Sequence, residues 1–288
     1  MATSRRFHHE RGSSRVVSII LIGKTGNGKS STANSIRGKE GTFKSSCGLQ
    51  SQTSECQYDI FYLREARSTI EIIDTPGLCD TRANITPEYI ADELVKSVVL
   101  VAPGPHVFCI VLSSTTRFTA EDNNTIAQCE AIFGKEFYKH ACVIFTGRDQ
   151  LERQKISVDD FIFKNCPTEV HALLSKCDYR YVFIDNSQPI DERKSCGLLM
   201  FEQMRAWRLF HRRYQDQRGL TKLADEVTEV AAVATGTEKR LMKHKIAHSW
   251  GKYKKYFKPV FKAIGTAVAV ASGISTIVVN ILKSTGTI

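Results

Sequence analysis

Eight residues near the N-terminus constrain this chain more than any other feature. Gly23-Lys24-Thr25-Gly26-Asn27-Gly28-Lys29-Ser30 fits the pattern GxxxxGK[ST] and directly follows the apolar run Val17 to Ile22. A strand must end and a helix begin around such a loop. Glycines permit the tight path, successive backbone N–H groups and the helix N-terminus face an anion, and the lysine reaches the β- and γ-phosphates of a nucleotide. Ser30 is the expected Mg²⁺ ligand. The segment therefore predicts a P-loop in an α/β fold with a mostly parallel sheet covered by helices on both faces.

A P-loop alone does not separate ATP from GTP, or a kinase from a switch. Asp74-Thr75-Pro76-Gly77 follows the apolar run Ile70 to Ile73, and Asp74 lies 44 residues after Ser30. An acidic group at the C-terminal end of a strand binds Mg²⁺ through water, and the N–H of Gly77 meets a γ-phosphate. The alternative is an ordinary β-turn. Further on, Val143-Ile144-Phe145-Thr146-Gly147-Arg148-Asp149 ends another apolar run. Asp149 is placed to accept hydrogen bonds from guanine N1 and N2 together, although Thr146 stands where an NKxD motif has Asn. The competing role for Asp149 is a helix N-cap.

Around these motifs β-rich and helical stretches alternate. Val16 to Ile22, Cys56 to Leu63, Thr69 to Asp74, His106 to Ser113, His140 to Thr146 and Asp178 to Ile184 read as strands. Gly28 to Arg37, Pro87 to Val101, Thr119 to Phe133, Val170 to Lys176 and Leu198 to Tyr214 read as helices. Thr119-Ala120-Glu121-Asp122 reads as an N-terminal capping stretch. Residues 1–14 are expected to be a flexible leader, 15–215 the nucleotide-binding domain, 216–256 a basic helical extension and 257–288 a hydrophobic tail; within the extension Leu220 to Lys245 reads as a solvated helical arm, with a coiled-coil or partner-binding helix as the alternative.

The charge distribution supports this division. Of 40 Lys+Arg and 30 Asp+Glu, residues 211–288 hold 14 and 5, so the body is nearly neutral and the surplus lies at one end. That argues against a folded nucleic-acid reader and for a basic segment facing an acidic partner or an anionic membrane. Ala263 to Leu282 is uncharged, follows Lys252, Lys254, Lys255, Lys258 and Lys262, and is followed by Lys283. As a helix it would span about 30 Å, which fits a tail anchor on a cytosolic membrane face. A helix folded back on the domain and an interfacial amphipathic segment are the alternatives. The 9 Cys have no CxxC spacing, which excludes an ordinary zinc site and favours a reducing, cytoplasmic setting.

Four stretches together resemble the GIMAP or IAN family, the AIG-type, septin-like P-loop GTPases: Gly23 to Ile36, Asp74-Thr75-Pro76-Gly77-Leu78-Cys79-Asp80, Gly104 to Asp122, and Val143 to Leu151. The third is the most specific, because an apolar strand followed by R-[FY]-T-x-E-[DE] is a hallmark of that family. The resemblance implies GTP or GDP with Mg²⁺ as ligands, Gly23 to Ser31 as the phosphate cradle, and Ser45 beside the nucleotide. It implies Thr53 as the switch threonine, with Ser51 and Ser54 as alternatives, so that Ser30, Thr53 and Asp74 are the expected metal set. It also implies Gly147, Arg148, Asp149 and Asn186 at the base, where Asp185-Asn186-Ser187 departs from the usual Asn-Asn-Arg. Leu78 stands where Ras-like GTPases orient water with Gln, so weak intrinsic hydrolysis is expected. A partner or a second copy would supply the missing group, for which Arg82, Arg117 and His106 are candidates by residue type alone. The implied protein is a GTP-dependent homodimer or homo-oligomer with an immune or stress-linked role. The alternative is a membrane-tethered scaffold that holds nucleotide without turning it over.

Overall fold

A computed structural model describes residues 15–44, 55–77 and 87–215, together with Thr221, Lys222, Asp225, Thr228, Glu229, Ala232 and Lys243. The leader, Ser45, Ser51, Thr53, Ser54, Leu78, Arg82 and the apolar stretch 263–282 lie outside the described residues.

The chain runs β1 (Arg15–Ile22), α1 (Lys29–Arg37), β2 (Gln57–Leu63), β3 (Ser68–Asp74), α2 (Pro87–Leu100), β4 (Val107–Ser113), α3 (Ala120–Phe133), β5 (Ala141–Thr146), α4 (Arg148–Arg153), the single turn α5 (Val158–Asp160), α6 (Thr168–Lys176), β6 (Tyr181–Ile184) and α7 (Ile190–Ala206). The strands form one sheet in the order β2-β3-β1-β4-β5-β6, with only β2 antiparallel to its neighbour. The four inner strands are buried almost throughout; β1, β4 and β5 are nearly continuous apolar runs, as strands buried on both faces tend to be, while β3 buries Ser68, Thr69, Glu71 and Asp74 among its isoleucines. Alternate residues feed two cores. Val17, Ile19 and Leu21 pack with Ala33, Ile36, Met200 and Met204. Ile20 and Ile22 pack with Leu94, Val98, Phe108, Ile132 and Phe133 on the other face.

All six expected strands are present, with bounds shifted by one to three residues at their starts. The last helix of the domain differs more. It begins at Ile190, eight residues before the expected Leu198, and ends at Ala206 rather than Tyr214. Pro189 precedes its first turn and Asp191 and Glu192 occupy that turn, a favourable N-terminus. Its buried face carries Arg193 and Gly197. A Cβ on Gly197 would lie 2.5 Å from the Ser35 carbonyl oxygen, so α7 rests directly on α1. Contact through a glycine and an arginine leaves no apolar periodicity to read.

The expected solvated arm is solvated on one face only among its described residues, where Lys222 and Glu229 are exposed. Thr221, Thr228 and Ala232 are buried, and they recur with Asp225 at helical spacing on one face. Ala232 joins the core on the α2–α3 side of the sheet. Where the domain passes into this extension, Arg213 donates to Ser18 Oγ and to the Val101 and Gly104 carbonyls. Beyond it, Lys243 Nζ lies 2.9 Å from Glu71 Oε1 in the interior. Burial of Thr221, Thr228 and Ala232 and the buried Lys243–Glu71 ion pair hold these described residues to the domain.

Candidate functional site

The C-terminal ends of β1, β3, β4 and β5 lie side by side, and the loops that leave them converge on residues 23–30. Gly23, at φ 153, passes so close to β4 that a Cβ there would lie 2.5 Å from the Val111 carbonyl oxygen. Gly28 caps α1 in the left-handed region at φ 89, where an L side chain is strained. Gly26, at φ 86, is exposed at the tip of the loop. The first turn of α1 has no acidic residue, so its N–H groups and positive dipole end are left for an anion. Lys29 is buried and curls back over the loop to donate to the carbonyls of Gly23 (2.9 Å) and Lys24 (3.0 Å). Burial lowers its pKa, against the pull of Asp74 and Asp122. Ser31 follows as the third residue of α1, and its carbonyl accepts from Arg193 at 2.8 Å.

Asp74 closes the inner side of this cradle. Ser30 Oγ donates to Asp74 Oδ2 at 2.6 Å. Burial raises the Asp74 carboxyl to about 6, opposed by Lys29 and by the Ser30 bond. Asp74 Oδ1 and Thr25 Oγ1 are buried with no hydrogen-bond partner among the described residues, a costly state for polar atoms that a ligand would relieve. The residues fit a hydrated magnesium ion on a phosphate: Ser30 and Asp74 offer hard oxygen donors at the mouth of an anion cradle. Gly77 packs against the loop so closely that a Cβ would fall 1.7 Å from Thr25 Oγ1 and 2.7 Å from the Thr25 nitrogen. Glycine is therefore required there, and its backbone borders the phosphate end of the cradle.

At the other end, Thr146 Oγ1 donates to the Asn27 carbonyl at 2.9 Å. The threonine in place of the expected Asn thus ties the end of β5 to the phosphate loop. Gly147, at φ 85, caps α4, and a Cβ there would meet Thr115 Cγ2 at 2.7 Å. Asp149 stands in the first turn of α4, where its carboxylate accepts from Gln150 Nε2 at 2.8 Å and pairs with Arg153 at 3.5 Å. Gly147 holds the N-cap position and Asp149 lies inside the helix, so the structure does not use Asp149 as the N-cap. Arg148 is exposed and turned along the helix to Glu152 at 2.9 Å, so only its backbone borders the site. Asn186 is tied to α1, accepting from Ser35 Oγ at 3.0 Å and donating to Thr32 Oγ1 at 3.2 Å. The departure at Asp185-Asn186-Ser187 has a structural use. Asp185 is buried and accepts from the Ser187 N–H and hydroxyl and from Gln188 Nε2, which folds the loop that presents Asn186.

Of the three groups proposed by type to assist hydrolysis, His106 is excluded by position. It precedes β4 at the opposite end of the sheet, where Nδ1 accepts the Ser18 N–H at 3.0 Å. Burial, with Arg213 and Arg15 nearby, lowers its pKa to about 3. Arg117 is exposed on the loop between β4 and α3, on the same edge as the cradle.

Sequence reasoning missed Arg193. Its buried guanidinium donates to Ser35 Oγ, to the Ser31 carbonyl and to Glu40, bracing α1 from behind. An arginine in a run of charged residues carries no sign of such a role.

A model of the AIG1 family matches residues 17–201. Among curated relatives, Immune-associated nucleotide-binding protein 7 of Arabidopsis thaliana is 36% identical over 183 residues, covering 64% of this chain and 58% of that protein. Immune-associated nucleotide-binding protein 3 of the same plant is 38% identical over 181 residues, covering 62% and 53%. The chain thus spans little more than half the length of these relatives. Similar solved structures include Toc33 from Arabidopsis thaliana in complex with GDP and Mg²⁺, at 19% identity and TM-score 0.47, covering 66% of this chain and 86% of that one. Era in complex with MgGDPNP and ribosomal RNA nucleotides is 15% identical, with TM-score 0.46, covering 65% and 57%. Because the family model runs from the start of β1 into α7 and takes in the phosphate loop, Asp74, the β4–α3 stretch and Asp149, the chain belongs to the AIG1 family.

Proposed function

We propose that this protein is a guanine-nucleotide-binding switch that loads Mg²⁺ with GTP or GDP. The observation that carries the reading is the buried pair of oxygens, Asp74 Oδ1 and Thr25 Oγ1, which have no hydrogen-bond partner among the described residues and lie beside a glycine-built cradle. Asp149, at the base end of the same cradle, supports guanine as the base. The names of the relatives, nucleotide-binding proteins, agree with a nucleotide as the ligand. When bound, the metal would neutralise phosphate charge, and this chain's own groups would bind and orient: Lys29 on the phosphates, Ser30 and Asp74 toward the ion, Asp149 and Asn186 around the base.

Leu78 has no group to polarise water, which supports slow intrinsic hydrolysis. In this reading the GTP form assembles with a second copy across the nucleotide face, and Arg117 at that edge is the described candidate for the stimulating cation. The same leucine supports the second reading, a scaffold that holds nucleotide without turnover. Calorimetry on the full chain with GDP, GTP and ATP, with size and phosphate release followed in parallel, separates them. Guanine preference with GTP-dependent dimers and concentration-dependent turnover is the expected result. Guanine binding without dimers or turnover favours the scaffold, and equal affinity for ATP would remove the guanine reading.

The membrane part of the proposal rests on the sequence of residues 263–282, twenty uncharged residues behind five lysines. No helix among the described residues is long and apolar enough to cross a membrane. Truncation after Lys262 is expected to move the protein from the membrane to the soluble fraction in a flotation assay; unchanged partitioning would sink the anchor.

A further inference from the structure

Asp122, at the foot of α3, is 4% exposed. Within α3 it completes a capping box with Thr119, accepting the Thr119 N–H at 2.9 Å and its hydroxyl at 3.0 Å on Oδ2. Two more donors come from the phosphate loop: Lys24 Nζ reaches the same oxygen at 3.2 Å, and Asn27 Nδ2 reaches Oδ1 at 3.0 Å. Lys24 Nζ also donates to Thr119 Oγ1 at 3.1 Å and lies 4.0 Å from Glu121. A capping box needs an acceptor at this position, and a neutral amide serves that purpose as Gln does elsewhere. The negative charge is matched instead by the ammonium of Lys24, whose side chain is 15% exposed.

Asn27 shows what this second use achieves. Its side-chain amide donates to the Val111 carbonyl at 3.0 Å as well as to Asp122, while its own carbonyl accepts from Thr146. The residue before Gly28 is thus fixed from β4, β5 and α3 together. A loop pinned in this way holds its N–H groups in the cradle before the phosphates arrive, which removes an ordering cost from binding.

We infer that Asp122 is a positioning residue of the phosphate site, acting through Lys24 and Asn27, and that the start of α3 is part of the nucleotide-binding apparatus as well as a helix cap. The inference rests on the nucleotide reading above. It gives the stretch Arg117 to Asp122 a role in binding that a structural capping role does not contain.

The test uses full-length D122N, K24M and the D122N/K24M double variant, with Mg²⁺·GDP affinity by calorimetry and the melting temperature of nucleotide-free protein. D122N keeps the cap acceptor and loses the charge. Its melting temperature is expected to stay within about 3 °C of wild type, while GDP binds about tenfold more weakly. K24M, which keeps both capping-box residues of α3 in place, should weaken binding to a similar extent, and the double variant should be no weaker than the worse single. Wild-type affinity in K24M, or losses that add fully in the double variant, would overturn the inference, and K24M decides the matter if D122N does not fold. Failure of the wild-type protein to bind GDP would instead sink the nucleotide reading.

Discussion

Replacing Lys243 by alanine is expected to destabilise the full chain by about 3–5 kcal/mol, the cost of stripping one partner from a buried ion pair. The two side chains are 8% and 3% exposed, with Lys243 Nζ 2.9 Å from Glu71 Oε1. Glu71 lies within β3, in register with Ser18 of β1. Its other oxygen accepts from Ser18 Oγ at 2.6 Å, and Tyr58 OH lies 3.4 Å from Oε1. Arg213 acts on this carboxylate at longer range, through Ser18 Oγ at 3.0 Å, so loss of the ammonium strips Glu71 of its direct ionic partner and leaves the charge only partly compensated. For a domain of this size the melting temperature should fall by about 10 °C. The double variant E71Q/K243M removes both charges while keeping most of the volume, and should recover most of the loss. Thermal denaturation followed by circular dichroism reads all three. A K243A protein that melts with wild type would mean that water reaches Glu71 and that the extension does not hold the domain.

Asp149→Ala should leave the phosphate cradle intact and remove the preference for guanine. A carboxylate facing N1 and N2 of guanine makes two charge-assisted hydrogen bonds, each worth about 1.5–3 kcal/mol. Their loss predicts a fall in GDP affinity of about 10²- to 10⁴-fold, with ADP affinity almost unchanged. In the structure the carboxylate is engaged by Gln150 and, more loosely, by Arg153, whose guanidinium is mostly exposed. Those contacts orient it without consuming both oxygens in strong bonds, so the substitution should cost little stability. The measurement is the ratio of GDP to ADP affinity in wild type and variant. An unchanged ratio would move base recognition elsewhere, with Asn186 the next residue to test.

The phosphate site was legible because its chemistry is local. A loop that wraps a phosphate needs glycines, a lysine and a hydroxyl at fixed spacing, and the strand before it must be apolar. The fold was legible for a related reason: strands buried on both faces are continuous apolar runs, and Val17 to Ile22, Val107 to Leu112 and Ala141 to Phe145 are such runs. Even the cap of α3 could be read from Thr119 and Asp122, since a capping box spans only four residues.

What escaped the sequence are contacts between residues far apart in the chain and of unremarkable type. Arg193 and Gly197 set α7 on α1, yet one looks like surface charge and the other like a helix breaker. Asp122 receives Asn27 across 95 residues of chain, and Glu71 receives Lys243 across 172. The extension read as a solvated arm because Ala, Leu, Glu and Lys mix along it with only a short heptad pattern, whereas Thr221, Thr228, Ala232 and Lys243 are buried.

The sequence by itself determined the sheet, the phosphate loop and the acidic residue beside it, because backbone geometry and burial on both faces of a strand leave a local pattern. The tertiary structure alone decided which charges face inward, that Thr146 ties the end of β5 to the phosphate loop, and that the described residues of the extension pack on the domain. Hydrogen bonds and ion pairs in the interior depend on which distant groups the fold brings within about 3 Å, and no spacing along the chain encodes that.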